Sequence, residues 1–262
     1  MLTEIIRIAK EAGKIALSAD RDRHVMVKEG RANFVTEYDK RVQEHIISEL
    51  KKLLPDAHFI GEEADYLPEK IESGYTFVID PIDGTTNFIR GSAFYSICIG
   101  LVNANKPVCG VVYIPALDVL YHAEYGKGAY VTRNKTTKEI HVSGNTLDGS
   151  VIAMGTSPYE EKLVYKSFVL GEKLMSRAAD IRRSGSAAID ICAVAEGVYD
   201  IMFEYMLSVW DYTAAAIILS EAGGVFTDLE GDQIKNQIKT PFLCGTPLAH
   251  AQAVEFIRTE EI

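Results

Sequence analysis

The chain is poor in the features that mark secreted, membrane-spanning or polyanion-binding proteins. Of 262 residues only four are cysteine, namely Cys98, Cys109, Cys192 and Cys244. None forms a CxxC pair and each lies in an apolar run, so they read as buried reduced thiols in a cytoplasmic protein, not a disulfide frame or a zinc site. No apolar stretch approaches the ~20 residues of a membrane span. Residues Met1 to Asp20 carry apolar side chains at Leu2, Ile5, Ile6, Ala9, Ala12 and Ile15, with charges between them. That is helical spacing and not a signal-peptide core. Basic residues are outnumbered, 27 against 37 acids, for a net charge of −10. A nucleic acid as main partner is therefore not expected, because phosphate neutralisation needs a basic face. The six histidines show no HxxxH or HExxH spacing, which argues against zinc hydrolysis. Gly126-Lys127-Gly128 lacks the third glycine of a dinucleotide loop, and no Walker A lysine exists.

With 47% hydrophobic and 24% charged residues, the chain can bury a full core. The pattern predicts helices at Leu2–Ser18 and Thr36–Leu54, the second with Thr36 and Asp39 in capping-box spacing. Strands are predicted at 57–60, 75–79, 95–102, 108–114 and 119–123, with turns at 103–107 and 125–130. Further on, strands at 151–155, 199–203, 225–227 and 242–245 alternate with helices at 160–176, 187–195, 211–222 and 247–258. A shift in composition near 141–150 divides the chain into 1–145 and 146–262. We expect two layered α/β sub-domains sharing one site.

The strongest local signal is Asp80-Pro81-Ile82-Asp83-Gly84-Thr85-Thr86-Asn87-Phe88. It follows the apolar run 75–79 and places Asp80 where a strand is expected to give way to a loop. Pro81 stiffens the turn, and Gly84 lets the backbone approach a ligand closely. Thr85 and Thr86 can start a short helix whose free N–H groups favour an anion such as phosphate. Glu62-Glu63 stands at a second predicted strand end, where acids beside a turn are also commonplace. Trp210-Asp211 opens an apolar helix, where Asp211 fits a plain N-cap equally well. If Glu62, Asp80, Asp83 and Asp211 converge, each pair ~4 Å apart costs about 4 kcal/mol at an effective dielectric near 20. Such a cluster needs protons or a cation. Oxygen ligands without Cys or His favour Mg²⁺ before Ca²⁺ or Mn²⁺.

The segments Phe59–Glu63 (FIGEE), Asp80–Phe88 (DPIDGTTNF) and Trp210–Gly224 (WDYTAAAIILSEAGG) resemble, in order and spacing, the signatures of the inositol monophosphatase family. The resemblance covers nearly the whole chain. It implies a layered αβαβα fold of the sugar-phosphatase type, hydrolysis of a small phosphate monoester with two to three Mg²⁺ (or Mn²⁺), inhibition by Li⁺, and a homodimer. By that resemblance, Glu62, Asp80 and the Ile82 carbonyl hold a first ion. Asp80, Asp83 and Asp211 hold a second. A third, weaker ion leans on Glu62 and water. The N–H groups of Gly84 and Thr85 hold phosphate, and Thr85, supported by Asp39, orients the attacking water.

Lys28–Val35 resembles the family's loop over the metals, with Asn33 where relatives often carry Asp. Gly185-Ser186-Ala187, Glu204 and Asp211 resemble its substrate wall. Thr156 and Ser157 are further candidates for that wall. Arg182 and Arg183 fit either a second phosphate or a solvated pair, while Asp190 and Asp200 read as surface acids. The favoured substrate is myo-inositol 1-phosphate. Rival readings are fructose 1,6-bisphosphate, NADP or a 3′-phosphonucleotide as substrate, or a regulatory protein whose metal site is secondary. Asp83→Asn is expected to stop turnover without lowering the melting temperature.

Overall fold

The computed structural model describes residues 1–19, 25–29, 33–63, 74–234 and 238–260, with the backbone alone at 25–29 and 33–35. In chain order the elements are α1 (Leu2–Leu17), β1 (Val25–Glu29), β2 (Asn33–Thr36), α2 (Glu37–Leu53), β3 (His58–Gly61), β4 (Tyr75–Asp83), α3 (Thr85–Arg90), β5 (Ser96–Asn103), β6 (Lys106–Ile114), β7 (Val119–Glu124), β8 (Ala129–Arg133), β9 (Thr136–Ile140), β10 (Val151–Met154), α4 (Glu161–Met175), β11 (Asp180–Arg182), α5 (Ala187–Ala195), β12 (Ile201–Ser208), α6 (Val209–Glu221), β13 (Val225–Thr227), β14 (Lys239–Gly245) and α7 (Pro247–Thr259).

Two sheets carry the fold. The larger runs β3-β4-β5-β6-β7-β8-β9, antiparallel except for β3 beside β4. The smaller runs β11-β10-β12-β14-β13. Side chains alternate across a strand, so the central strands β5, β6 and β7 feed two cores. Ile97, Ile99 and Leu101 of β5 face the buried stripe of α1 and α2, among them Ile5, Ile8, Val42 and Ile46. Cys98 of the same strand faces the other way, with Val112 of β6, onto α5 and α6. Those two helices also pack on Met202, Phe242 and Cys244 of the small sheet. Leu170 and Leu174 of α4 and Ala249 and Ala253 of α7 close its far side. The layers are helix, sheet, helix, sheet, helix, as the resemblance implies. No helix among the described residues is long and apolar enough to cross a membrane.

Two glycines let α6 lie close against the large sheet. Gly100 and Gly110 pair directly across β5 and β6. A Cβ on Gly100 would stand 2.9 Å from Thr213, and one on Gly110 would collide with the Ala214 carbonyl. Without side chains there, α6 settles on the strands and its first turn, which carries Asp211, reaches the end of β4. Gly110→Ala is expected to cost about 1–3 kcal/mol through overpacking. A thermal melt should then show a midpoint lower by several degrees; an unchanged midpoint would mean that α6 shifts freely.

Several boundaries differ from those read in the sequence. β4 does not stop at Ile79. It continues through Pro81 to Asp83, with a register break between Asp80 and Asp83 that leaves the proline outside the ladder. α6 starts at Val209, two residues before Asp211. The stretch 28–35, expected as a loop, contributes the facing strands β1 and β2; the side chains of Lys28 and Asn33 lie outside the described residues. β8 and β9 form a hairpin that the sequence pattern does not predict, because β9 is exposed over most of its length and so shows no apolar alternation. The expected turn at 103–107 is a two-residue link, Ala104-Asn105, with φ of 46° and 64°.

Candidate active site

The register break in β4 arranges the first group of acids. Asp80 Oδ1 accepts the Ile82 N–H at 2.9 Å, which curls the strand back on itself. Asp83 is held from four sides. Its Oδ2 accepts from Ser96 Oγ (3.2 Å), Ser186 Oγ and the Ala188 N–H (3.0 Å), while Oδ1 has only the Ala187 N–H at 3.3 Å. The start of α5 is thereby docked onto an acid of β4. Gly84 follows in the left-handed region (φ 88°) and turns the chain into α3. A Cβ there would lie 3.0 Å from the Phe94 carbonyl and 3.2 Å from that of Gly185. Asn87 completes the seam by donating to the carbonyls of Phe94 (2.6 Å) and Ser184 (2.8 Å).

One face of α2 supports two parts of the site. Thr36 and Asp39 form the expected capping box. Asp39 is fully buried, and its Oδ1 also accepts from Thr85 Oγ1 at 3.4 Å, while that hydroxyl lies 3.1 Å from the Ile82 carbonyl. One helical turn on, the Gln43 side chain clamps the Glu63 peptide, accepting its N–H at 3.0 Å and donating to its carbonyl. That fixes the Glu62-Glu63 corner at the end of β3. Glu63 is buried and not the exposed acid read from sequence.

Asp211 comes from the opposite layer. Ser208 is the N-cap of α6, and Asp211, three residues into the motif, accepts the Ser208 N–H on Oδ2 at 2.7 Å. The plain N-cap reading of Asp211 therefore fails; its side chain closes a capping box and lines the pocket.

These pieces surround a pocket of about 280 Å³, near the small end of ligand sites (~300–1,000 Å³). Among the described residues that line it, six are acids, Glu62, Asp80, Asp83, Asp190, Glu204 and Asp211, and Arg183 is the one base. The electrostatics follow. Burial, then the charges of Glu62, Asp83, Asp211 and Asp39, push the Asp80 carboxyl well above its ordinary range. Burial, then Glu62 and Asp83, do the same to Asp211. Burial also raises Asp83, against the pull of its four donors. It raises Asp39 to about 6, opposed by the Thr36 bonds. As they lie, no three acidic, imidazole or thiol groups among the described residues already close round an ion. The donor chemistry nevertheless fits a hard cation. Asp83 Oδ1 has a single long hydrogen bond, and every neighbouring charge that acts strongly on Asp80 is another carboxylate.

The far wall is built around Glu204, whose pKa burial raises to about 7. Its Oε1 accepts the Ser157 N–H at 2.7 Å, and a Cβ on Gly155 would overlap its carboxylate. Asp190, raised to about 7 chiefly by burial, is likewise buried. So is Asp200, which accepts from Asn145 (3.0 Å) and the Val151 N–H (2.8 Å) and staples the segment before β10. Neither is the surface acid that its sequence context suggests.

The profile of the inositol monophosphatase family matches residues 1–259. The chain belongs to the inositol monophosphatase family. It is 36% identical over 201 residues to the fructose-1,6-bisphosphatase/inositol-1-monophosphatase of Aquifex aeolicus, covering 76% of this chain and 74% of that protein. It is 35% identical over 233 residues to the Nus factor SuhB of Pasteurella multocida, covering 88% and 86%. Among solved structures, an IMPase of Thermotoga maritima superposes with a TM-score of 0.84 at 31% identity, over 98% of this chain and 96% of that one. The family is one of phosphoric monoester hydrolases, and this is the protein's reaction class.

Within that family frame, the pocket brings together Glu62, Asp80, Ile82, Asp83, Gly84, Thr85, Gly185, Ser186, Ala187, Glu204 and Asp211, as expected, with Asp39 behind Thr85. Two of the expected substrate contacts are otherwise engaged: Ser186 Oγ and the Ala187 N–H point at Asp83. The two arginines part company. Arg182 pairs on the surface with Asp180, while Arg183 lines the pocket and donates to Thr156 Oγ1 at 3.0 Å. Thr156 faces the pocket; Ser157 is buried beneath it. Gln43, Asn87 and Tyr159 have no role that sequence reasoning assigns. Asn87 lies inside the strongest motif, and that is the one available signal.

Proposed function

We propose that the protein hydrolyses a small polyol phosphate, best matched by myo-inositol 1-phosphate, to the free polyol and inorganic phosphate with Mg²⁺ as cofactor. The observation that carries this reading is the meeting of Asp80 and Asp83, Glu62 and Asp211, from three separate stretches, in one pocket beside Thr85. Glu62, Asp80 and the Ile82 carbonyl would hold one ion, and Asp80, Asp83 and Asp211 a second; Mn²⁺ suits the same oxygens, and Glu62 would lend itself to a third. Bound there, Mg²⁺ neutralises the ester, lowers the pKa of a water and steadies the leaving alkoxide.

The protein's own groups do the rest. The N–H groups of Gly84 and Thr85 open α3 toward the phosphoryl oxygens. The Thr85 hydroxyl sends its proton to the Ile82 carbonyl or to Asp39, so an Oγ1 lone pair stays free to accept a hydrogen bond from the attacking water. Asp39 acts through Thr85. Glu62, on the same pocket wall, would act on that water as well. Attack is in line, the P–O bond to the polyol breaks, and no phospho-enzyme forms. On the far wall Glu204 and Asp211 receive the polyol hydroxyls, while the Gly185–Ala187 segment, tied to Asp83, shapes the pocket beside them. A cytoplasmic homodimer belongs to the same reading. Four free, buried cysteines support the compartment.

The test is phosphate release from inositol 1-phosphate. Release should require Mg²⁺, vanish with EDTA, return on adding Mg²⁺ back, and fall with Li⁺. The inositol assignment is wrong if fructose 1,6-bisphosphate, NADP or a 3′-phosphonucleotide shows a kcat/KM at least about tenfold higher, a step of about 1.4 kcal/mol. A clean preparation that releases no phosphate from any of them would favour a regulatory role.

A further inference from the structure

The rim segment 155–160 is pinned more firmly than a connecting loop requires. The Gly155 N–H reaches the Phe203 carbonyl at 2.8 Å. Ser157 is fully buried in the left-handed region at φ 43°, a costly conformation for a residue with a side chain. Four bonds impose it, one of them from its Oγ to Glu204 Oε1 at 3.4 Å. Its N–H goes to Glu204 Oε1, its Oγ accepts the Met206 N–H at 3.0 Å, and its carbonyl accepts the Glu160 N–H at 3.2 Å. Thr156 is tied across the pocket to Arg183. Pro158 stiffens the next step. The residue delivered by this strained, fixed segment is Tyr159. Tyr159 lines the pocket and is 58% exposed, so a large aromatic stands at the mouth with surface left to cover. Its phenol lies in the field of the pocket acids: burial, then the charges of Glu62, Asp211, Asp80 and Glu204, keep it protonated, so it is a donor at every working pH.

The geometry points to Tyr159 as a specificity-determining residue that covers the ring of a cyclic polyol phosphate and donates its O–H to a ring hydroxyl. The inference rests on the polyol phosphatase reading above. An aromatic face suits the C–H surface of a six-membered polyol ring, and the large area that it buries is lost on a short acyclic substrate. Strain stored at Ser157 and held by Glu204 sets the ring in place before substrate arrives, so binding does not have to order it.

The test compares inositol 1-phosphate with glycerol 2-phosphate in the Mg²⁺-loaded full chain. Tyr159→Ala should raise KM for inositol 1-phosphate about tenfold, the scale of one well-covered aromatic contact. It should leave kcat, and both constants for glycerol 2-phosphate, within about threefold, and leave Tm unchanged because the ring is mostly in solvent. Tyr159→Phe, which keeps the ring, should raise the inositol KM only about threefold through the lost hydrogen bond. An inositol KM within about twofold of wild type in the alanine variant overturns the inference, and so does an equal loss on both substrates. Wild-type turnover of glycerol 2-phosphate without any of inositol 1-phosphate overturns the polyol-ring reading of the site as well, and it is visible before any variant is made.

Discussion

Asp80→Asn is expected to lower kcat by at least about a thousandfold, or about 4 kcal/mol of barrier, while raising the melting temperature of the metal-free protein. The two effects share one cause. Asp80 is buried at the centre of the acidic group, with Glu62, Asp83 and Asp211 all acting on it as like charges. Each such pair ~4 Å apart costs up to about 4 kcal/mol at an effective dielectric near 20. Under the proposed function, Asp80 is also the acid shared by both ions, so its loss strips charge from each. Asparagine keeps an oxygen for the Ile82 N–H, which stands 2.9 Å from Asp80 Oδ1. The fold therefore loses little and sheds repulsion. At about 2–4 °C per kcal/mol for a chain of this size, the gain should be readable in a melt with EDTA.

Sequence reasoning assigns this stability effect to Asp83, and there the structure corrects it. Asp83 receives four donors, from Ser96, Ser186, Ala187 and Ala188. The amide introduced by Asp83→Asn would turn its NH₂ toward one of them, so this variant should stop turnover and also lower Tm. Turnover of the Asp80 variant within tenfold of wild type would take Asp80 out of the chemistry.

What was legible in the sequence had a local cause. The apolar stripe of α1, the capping box of Thr36 and Asp39, and the run 80–88 announce themselves because helical periodicity, cap chemistry and a Pro-Gly turn act over a few residues. The family motifs then tied Glu62, Asp80 and Asp211 to one site although well over a hundred residues separate the first from the last. What escaped depends on partners far along the chain. Gly100 and Gly110 read as ordinary strand glycines until α6 is seen lying on them. Asp200 reads as a surface acid until the 143–151 segment wraps over it. Ser157 carries no sequence mark of its left-handed backbone, since glycine or asparagine would be the usual choice there. Its conformation is dictated by Glu204, 47 residues away.

The metal-free protein should lose stability as pH rises from about 5 to 8, and Mg²⁺ should remove most of that slope. Asp39, Asp80, Asp83, Asp190, Glu204 and Asp211 all have folded-state pKa values above their ordinary ones, with burial the first cause in each case. A carboxyl raised on folding binds its proton more tightly in the folded chain. The folded state then holds more protons than the unfolded state above about pH 4, and stability must fall as pH climbs. The contribution is complete below the unfolded pKa values and disappears through the folded ones, about 6 for Asp39 and about 7 for Asp190 and Glu204. Each tenfold difference in proton affinity is worth about 1.4 kcal/mol. Several such groups weigh heavily in a fold of ~5–15 kcal/mol. Exposed pairs such as Asp148 with Arg177, whose carboxyl is held below its ordinary value, titrate below this range and add nothing to the slope.

Mg²⁺ binds only the ionised acids, and it stabilises the fold more as pH rises and more of them are charged. It should therefore cancel the part of the slope due to Asp80, Asp83 and Asp211. The remainder belongs to Asp39, near pH 6, and to Asp190 and Glu204, near pH 7, and Glu204→Gln should flatten the upper part of it without touching the Mg²⁺ response. Thermal melts at pH 5, 6, 7 and 8, in EDTA and in Mg²⁺, separate these contributions. A Tm in EDTA that holds level or rises across that range would show that the acids do not share one buried field, and the proposed metal chemistry would lose its physical basis.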